Sequence, residues 1–497
     1  MKTPVIISLD QGTTSSRTIA FNSQGEALIS HQKAFEQLFP DNGWVEHNPE
    51  EIWESQYSTL VNTLNELDQT YELKAVGITN QRETVVIWDK GSGEPIYNAI
   101  VWQDRRTAAY CDKLNAQGLH HTIQQKTGLV IDAYFSATKI KWILDQVPGA
   151  RDKAKAGELC FGTIDSWLIY KLTQGNVHVT DVTNASRTMI CNIHTAQWDD
   201  ELLALFDIPK ALLPEIRSCS EFYGNAIIPE MNLEIPITGI AGDQQAALFG
   251  QMCIKPGMLK NTYGTGCFLL MNTGTKPILS QNNLLTTIAW KIGDEISYAL
   301  EGSVFVGGAA VQWLRDGLNL IEDAAQVEDL ASSVESSEGV VVVPAFTGLG
   351  APHWDPYARG AILGLTRGTT KAHIARATLE GITLQVYDIV KAMETDSQVN
   401  STELRVDGGA TVNNLLMQIQ ADVFDFNVVR PANLESTALG AAYLAGLAVG
   451  VWSSVDELSN QWQIDTVFAP HNAAESRTSL INKWHKATAK SKGWIDA

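Results

Sequence analysis

A chain of 497 residues is longer than one hydrophobic core usually serves, so its length predicts two large domains. Hydrophobic residues make up 44% and charged residues 19% of the chain, as in ordinary globular proteins. The net charge of −20 excludes nucleic acid and anionic membrane surfaces as expected partners, because both would repel the protein.

The cysteines and the apolar segments indicate a compartment. The six cysteines form no C-x-x-C pair, which favours buried free thiols in a reducing environment over a zinc site or disulfides. The first residues enter a β-branched run at once and lack the plan of a signal peptide. The most apolar helical stretch, 440–452, is shorter than the ~20 residues that span a bilayer. We therefore expect a cytoplasmic protein with no integral membrane segment.

The first predicted element is a β-hairpin, with apolar runs at 6–9 and 18–21 around a turn rich in glycine and hydroxyl residues. Such a turn can cradle phosphate oxygens, and Arg17 can add positive charge. Asp10, at the end of the first strand, can hold magnesium through water, because magnesium prefers oxygen ligands and retains its waters. An ordinary hairpin, in which Asp10 bonds only backbone, explains the same residues equally well.

The next elements are a third strand over 27–35, a helix over 50–67 and a buried strand over 74–79. That strand runs into the adjacent base and acid Arg82 and Glu83. Such a pair can bond neighbouring hydroxyl groups of a polyol, one residue donating and the other accepting. A surface salt bridge is the alternative interpretation.

Asp243 follows a predicted strand at 235–240 and precedes the helix-like run 246–250, which places it at a helix start. It can act as a general base that takes a proton from an attacking hydroxyl, as phosphoryl transfer requires. It can also be a helix N-cap, a role that aspartate often fills. The two roles are compatible.

The second half repeats the plan of the first. Residues 257–272 again read as strand, Gly/Thr turn and strand, followed by a helix over 371–393 and a strand over 403–406 that runs into Asp-Gly-Gly. We infer an internal duplication, with domains at 1–252 and 253–497. The P-loop, the G-x-G-x-x-G fingerprint and the protein-kinase loops are absent from the sequence, so paired β-turns facing one cleft are the predicted phosphate site.

Two further groups of residues allow two interpretations each. Trp102, Tyr134 and Phe268 can wall a small pocket, although single aromatic residues more often belong to a core. The segment 307–312 can let a nucleotide base approach the backbone, or can simply start a buried helix.

Taken together, these motifs resemble the FGGY carbohydrate-kinase family from about residue 6 to about residue 468. Many motifs in the family's order carry the resemblance, and they lie at 9–17, 43–47, 77–84, 102–106, 134–142, 180–188, 242–250, 263–267 and 407–410.

The resemblance implies an α/β fold of two actin-like (ribonuclease H-like) domains, each a mixed five-stranded sheet flanked by helices, with the active site in the cleft between them. It implies ATP-dependent phosphorylation of glycerol to sn-glycerol 3-phosphate with Mg²⁺, and a homo-oligomer, either a dimer or a tetramer. A family kinase for another polyol or a ketose is the alternative activity.

The resemblance also implies roles for single residues. The implied general base is Asp243, and Asp10 would anchor magnesium. The residues expected to line the glycerol pocket are Arg82, Glu83, Trp102, Tyr134, Asp243, Gln244 and Phe268. Those expected to hold ATP or ADP are Thr13, Thr14, Ser15, Arg17, Thr265, Gly308, Gln312, Gly409 and Asn413.

The sequence departs from the family in one segment. Some bacterial members carry a Gly-rich, Arg-containing loop for inhibition by a sugar bisphosphate, whereas residues 225–234 here contain neither glycine nor arginine. Other members have a phosphorylatable histidine nearby, and none occurs from 219 to 234. The residues that either kind of regulation uses are therefore not evident in this segment. A non-kinase alternative, an actin-like or chaperone-like ATPase, explains the Gly/Thr turns but not Arg82 and Glu83.

Overall fold

The computed structural model describes residues 2–471 and 474–495, so residues 1, 472–473 and 496–497 of the predicted domains lie outside the described part. The strands are β1 Thr3–Gln11, β2 Ser15–Asn22, β3 Ala27–Ala34, β4 Glu46–His47, β5 Tyr71–Asn80, β6 Val86–Asp89, β7 Ala99–Ile100, β8 Leu159–Gly162, β9 Val179–Asp181, β10 Cys191–Asn192, β11 Gln197–Trp198, β12 Glu215–Arg217, β13 Ser220–Ile228, β14 Leu233–Gly242, β15 Leu259–Tyr263, β16 Cys267–Gly274, β17 Leu285–Ile292, β18 Glu295–Val304, β19 Val341–Val343, β20 Ala361–Leu363, β21 Glu403–Asp407, β22 Asn427–Pro431 and β23 Ile464–Phe468.

The α-helices are α1 Pro49–Glu66, α2 Ala108–Ala116, α3 His120–Thr127, α4 Ser136–Gln146, α5 Ala150–Lys155, α6 Ile164–Leu172, α7 Val182–Ala185, α8 Asp200–Phe206, α9 Asp243–Gly250, α10 Gly308–Asp316, α11 Gln326–Ser332, α12 Lys371–Ser397, α13 Asn414–Phe424, α14 Ser436–Ala448, α15 Val455–Gln461 and α16 Ala474–Ser491. Short 3₁₀ helices occur at Lys210–Leu212, Pro229–Met231 and Gly409–Val412. Among the described helices, none combines the length and the apolarity needed to cross a bilayer.

Two mixed sheets form the centres of two lobes. The first has the order β13-β14-β5-β1-β2-β3 and the second β17-β18-β16-β15-β21-β22-β23. In the first, β1, β2 and β3 form an antiparallel meander, and β5 and β14 add in parallel on the other side of β1. In the second, β15, β16 and β18 form the meander, and β21 and β22 add in parallel. The predicted two-lobed α/β fold is therefore confirmed.

The number of strands differs from the five predicted for each sheet. Each lobe contains the five-strand core, but β13 extends the first sheet to six strands, and β17 and β23 extend the second to seven. All three added strands pair antiparallel to an edge of the core. An edge strand offers unpaired N–H and C=O groups, and a neighbouring segment that runs back along it satisfies them.

Two helices join the lobes. Helix α9 follows the last strand of the first sheet, and α14 from the second half lies against both α9 and strands β1, β5 and β14. A Cβ atom on Gly440 would lie 1.9 Å from the carbonyl oxygen of Ala246, so only glycine permits this approach of α14 to α9. Apolar residues of both halves, including Phe249 and Leu444, form one shared core at this crossing.

The segment between β5 and β13 forms a third packed unit. Helices α2 to α5 and α8 enclose an apolar core that includes Phe135, Ile140 and Phe206. This unit carries Trp102 and Tyr134 towards the end of β5, which is where the first lobe faces the second.

Candidate active site

Arg82 and Glu83 lie just beyond the end of β5 and are both buried, with 2% and 1% exposure. The Arg82 guanidinium donates hydrogen bonds to both carboxylate oxygens of Glu301 at 2.7 and 2.8 Å, and to Gln245 Oε1 at 3.0 Å. Glu83 has a positive φ of 59°, which turns the chain sharply after the strand. The alternative interpretation, a surface salt bridge, is therefore wrong.

Asp243 is the first residue of α9, whose N-cap is Gly242. Its Oδ1 lies 3.2 Å from Nε of Arg82 and accepts from the backbone N–H of Gln244 at 2.8 Å. Its Oδ2 accepts from the Gln244 side chain at 3.3 Å. The expectation that Asp243 is the N-cap is therefore wrong, because Gly242 holds that position, and the Asp243 side chain is partly exposed.

The electrostatics at Asp243 favour a proton acceptor. Burial raises the pKa of its carboxyl group, while the positive charges of Arg82 and Lys260 oppose that rise. A carboxylate that is partly shielded from water and flanked by cations suits proton transfer from an alcohol.

Three buried charges that the sequence analysis did not single out complete the site. They are Glu301 on β18, Arg187 after α7 and Lys260 on β15. Arg187 donates to Glu83 Oε1 at 2.6 Å and to Glu301 Oε1 at 2.9 Å. Burial alone would raise the pKa of Glu301, but the positive charges of Arg187 and Arg82 lower it to about 2. The three cations Arg82, Arg187 and Lys260 thus balance the carboxylates of Glu83, Asp243 and Glu301.

The three predicted aromatic residues come together. The ring centroid of Trp102 lies 5.6 Å from that of Tyr134 and 6.4 Å from that of Phe268, both edge to face. Phe268 belongs to the second lobe, so this wall crosses between the lobes. The indole N–H of Trp102 donates to Thr13 Oγ1 at 3.1 Å, which ties the wall to the first hairpin turn.

The first hairpin turn is predicted correctly between β1 and β2, and its hydroxyl residues are partly or fully exposed at Thr13, Thr14 and Ser15. Arg17 is not free, because its guanidinium lies 2.7 Å from Asp10 and 2.6 Å from Glu435. Burial raises the pKa of Asp10, and the charge of Arg17 opposes that rise.

The second turn, between β15 and β16, lies beside the start of α10. Its Gly264 and Thr265 are exposed, and their carbonyl oxygens accept from Gly308 N–H at 2.9 Å and Gly307 N–H at 2.8 Å. A Cβ atom on Gly308 would lie 2.7 Å from the Gly264 carbonyl oxygen. Gln312 is exposed one turn along α10.

The remaining predicted nucleotide residues follow β21. Gly409 is exposed, and a Cβ atom there would meet nothing within 4 Å, so its backbone faces open space. Asn413 caps α13 by accepting from Leu416 N–H at 2.8 Å. Its side-chain oxygen therefore has a structural partner.

The donor set fits a magnesium ion held mainly by water and phosphate. Within residues 2–471 and 474–495, three or more histidine, cysteine or acidic side chains nowhere gather as a metal cage. Asp10 offers one carboxylate with 14% exposure at the end of β1, beside the exposed hydroxyl turn. Magnesium binds with few protein ligands where substrate phosphates supply the others.

Two family models match the chain. The N-terminal domain of the FGGY family of carbohydrate kinases matches residues 5–250, and the C-terminal domain of that family matches residues 259–449.

Individual relatives match over almost the whole chain. The glycerol kinase of Parabacteroides distasonis is 60% identical over 492 residues, covering 99% of this chain and 99% of the relative. The glycerol kinase of Dichelobacter nodosus is 60% identical over 495 residues, with the same coverage. Among solved structures, Plasmodium falciparum glycerol kinase with ADP superimposes with a TM-score of 0.94 at 40% identity, covering 100% of this chain and 99% of that one.

Proposed function

The chain belongs to the FGGY family of carbohydrate kinases, and from that premise we propose that it transfers the terminal phosphoryl group of ATP to glycerol, forming sn-glycerol 3-phosphate. The observation that carries the proposal is the buried Arg82–Glu83 pair beside the Asp243 carboxylate and an aromatic wall. Full-length identity of 60% to relatives named glycerol kinase supports glycerol over another polyol or a ketose.

The proposed pocket suits a three-carbon alcohol. The carbon edge of glycerol packs between Trp102 and Phe268, and two hydroxyl groups bond Arg82 and Glu83. The third hydroxyl faces Asp243, which accepts its proton as the oxygen attacks the terminal phosphorus and ADP leaves. Gln244 and Tyr134 complete the lining.

The proposed nucleotide site uses both turns. Thr13, Thr14 and Ser15 hold phosphate oxygens from the lobe at 1–252, and Thr265 holds them from the lobe at 253–497. Gly308, Gln312, Gly409 and Asn413 border the rest of the nucleotide. Magnesium, bound through Asp10, would neutralise phosphate charge. Arg17 reaches a phosphate only by giving up one of its carboxylate partners, Asp10 or Glu435.

The test is ADP release with ATP, magnesium and glycerol. We expect Asp243→Asn to lower turnover by about 10²–10⁴-fold, because the base is lost. Glycerol binding, followed by calorimetric titration, should persist, since Arg82 and Glu83 are unchanged. Asp316→Asn, which alters an exposed carboxylate paired with Arg315, is the matched control. Equal turnover in Asp243→Asn and wild type would exclude Asp243 as the base.

A substrate panel separates the alternatives. Faster turnover with a pentulose than with glycerol would select a ketose kinase. ATP hydrolysis without any polyol, together with filaments, would select an actin-like ATPase. The family resemblance also supports a cytoplasmic dimer or tetramer, which light scattering of the purified protein would measure.

A further inference from the structure

Lys260 is a fully buried lysine whose ammonium group donates to two neutral acceptors. Its Nζ lies 2.5 Å from Gln244 Oε1 and 2.9 Å from Thr262 Oγ1. Removing an ammonium ion from water is costly, and buried lysines normally have an anionic partner in direct contact. Among the described residues, this buried cation donates hydrogen bonds only to an amide and a hydroxyl, which indicates a function.

The Gln244 side chain connects Lys260 to Asp243. Because the Lys260 ammonium occupies the amide oxygen, the amide nitrogen is turned towards Asp243 Oδ2 at 3.3 Å. Oδ1 of the same carboxylate receives the Gln244 backbone N–H and lies beside Arg82. Each oxygen of the proposed base is thus fixed by a donor, and the donor to Oδ2 depends on Lys260.

Four charged side chains influence the charge of Lys260. They are Asp407 at the end of β21, Asp243 on α9, Arg82 after β5 and Glu301 on β18. Asp407 has one buried carboxylate oxygen without a hydrogen-bond partner, so the Lys260 charge also compensates this acid from a distance.

We propose that Lys260 is a positioning residue for phosphoryl transfer, which orients Gln244 and thereby holds the Asp243 carboxylate ionised and aimed at the attacking hydroxyl. The inference rests on the proposed function and extends the same site to strand β15, which carries Lys260. Lys260 itself exchanges no proton with the substrate, whose proton passes to Asp243.

The position of Lys260 gives a pH dependence with a definite sign. Burial lowers its pKa to about 8, while Asp407 and Asp243 oppose the fall. Lys260 is therefore charged below about pH 8, and turnover should decline as the pH rises through that value. Lys139 is a second buried lysine with a pKa lowered to about 8, and it donates to the carbonyl oxygens of Tyr134 and Glu83. The experiment must separate these two lysines.

The experiment measures glycerol-dependent ADP release from about pH 6 to about pH 10 for wild type, Lys260→Met, Lys260→Arg and Lys139→Arg. We expect Lys260→Met to lower kcat about 100-fold, because the base loses its fixed geometry. Glycerol affinity, measured by calorimetric titration, should change by less than about threefold. The acid limb of the pH profile, where Asp243 takes up a proton, should also move to higher pH, because Lys260→Met removes a positive charge that favours the Asp243 carboxylate.

The arginine variants identify the titrating group. Lys260→Arg keeps its charge throughout the range, so it should retain turnover within about tenfold and lose the decline near pH 8. Lys139→Arg should keep that decline. A Lys260→Met kcat within about threefold of wild type, an unchanged decline in Lys260→Arg, or its loss in Lys139→Arg would each overturn the proposal.

Two controls keep the result interpretable. Lys391→Met removes a half-exposed lysine paired with Glu394 and should leave the profile unchanged. Circular dichroism checks folding, and if Lys260→Met does not fold, the profile of Lys260→Arg decides. Wild type without glycerol-dependent ADP release would refute the proposed function itself. An active wild type with unaffected Lys260 variants would refute only this inference.

Discussion

Replacing Glu301 by glutamine tests the ion network that joins the lobes. Glu301 is fully buried on β18 and accepts two bonds from Arg82 and one from Arg187, all between 2.7 and 2.9 Å. Glutamine has nearly the same shape, but it removes the negative charge and offers one acceptor oxygen instead of two. Two buried guanidinium groups would then lose their shared counter-ion.

Two estimates of the cost agree. Breaking a buried ion pair by removing one partner costs about 3–5 kcal/mol. A fall in the Glu301 pKa from 4.5 to about 2 corresponds to about 3 kcal/mol of folding free energy. Because the folded pKa is depressed, this stabilisation is complete above about pH 4.5 and is lost as the pH falls through about 2. At neutral pH, Glu301→Gln should therefore lose the full stabilising free energy of the ion network.

Scanning calorimetry near neutral pH measures the loss of stability in Glu301→Gln as a fall in Tm. With an unfolding entropy of about 2 cal/mol/K per residue, the 497 residues give about 1 kcal/mol/K, so Tm should fall by about 3–5 °C. Glycerol affinity should weaken about tenfold, because Arg82 loses its fixed orientation. Asp316→Asn, at an exposed pair, should leave Tm unchanged. A Tm for Glu301→Gln within about 1 °C of wild type would refute the reasoning.

Three further predictions concern the lobe contact, the nucleotide site and magnesium. Gly440→Ala should lower Tm sharply in calorimetry, because its Cβ would lie 1.9 Å from the Ala246 carbonyl oxygen; an unchanged Tm would contradict that close approach. Gly409→Ala should leave Tm unchanged, since its Cβ meets nothing within 4 Å, but should raise KM for ATP; an unchanged KM would place the nucleotide elsewhere. Asp10→Asn should raise the magnesium concentration needed for half-maximal ADP release, and an unaltered magnesium titration would exclude Asp10 as the anchor.

Short sequence patterns predicted the hairpin, the strand end and the helix start that carry the candidate site residues. The hairpin around Thr13, the strand that runs into Arg82, and the helix that starts at Asp243 each follow from a short run of residues. Each run fixes its own backbone by β-propensity, turn chemistry or helical periodicity. The backbone positions of these residues could therefore be read from the sequence, whereas their charge partners could not.

Glu301 shows why. It lies 219 positions from Arg82 along the chain, and only the packing of two sheets brings them together. A signal was present, since Glu301 lies in the buried part of strand β18, and Lys260 likewise lies in a buried part of the short strand β15. A charge inside a buried strand needs a compensating partner, so it indicates a site without identifying that partner.

The network has a consequence for how substrate recognition depends on the fold. Arg82, assigned to glycerol, is held by Glu301 of the second lobe, and Arg17, assigned to phosphate, is held by Glu435, which precedes the interlobe helix α14. Both arginines are thus oriented by carboxylates from the opposite half of the chain. The Arg82–Glu301 pair is bidentate, which fixes the direction of the guanidinium as well as its distance. Displacing one lobe against the other would therefore misorient Arg82, so the approach of the lobes and the shape of the proposed glycerol pocket are energetically coupled.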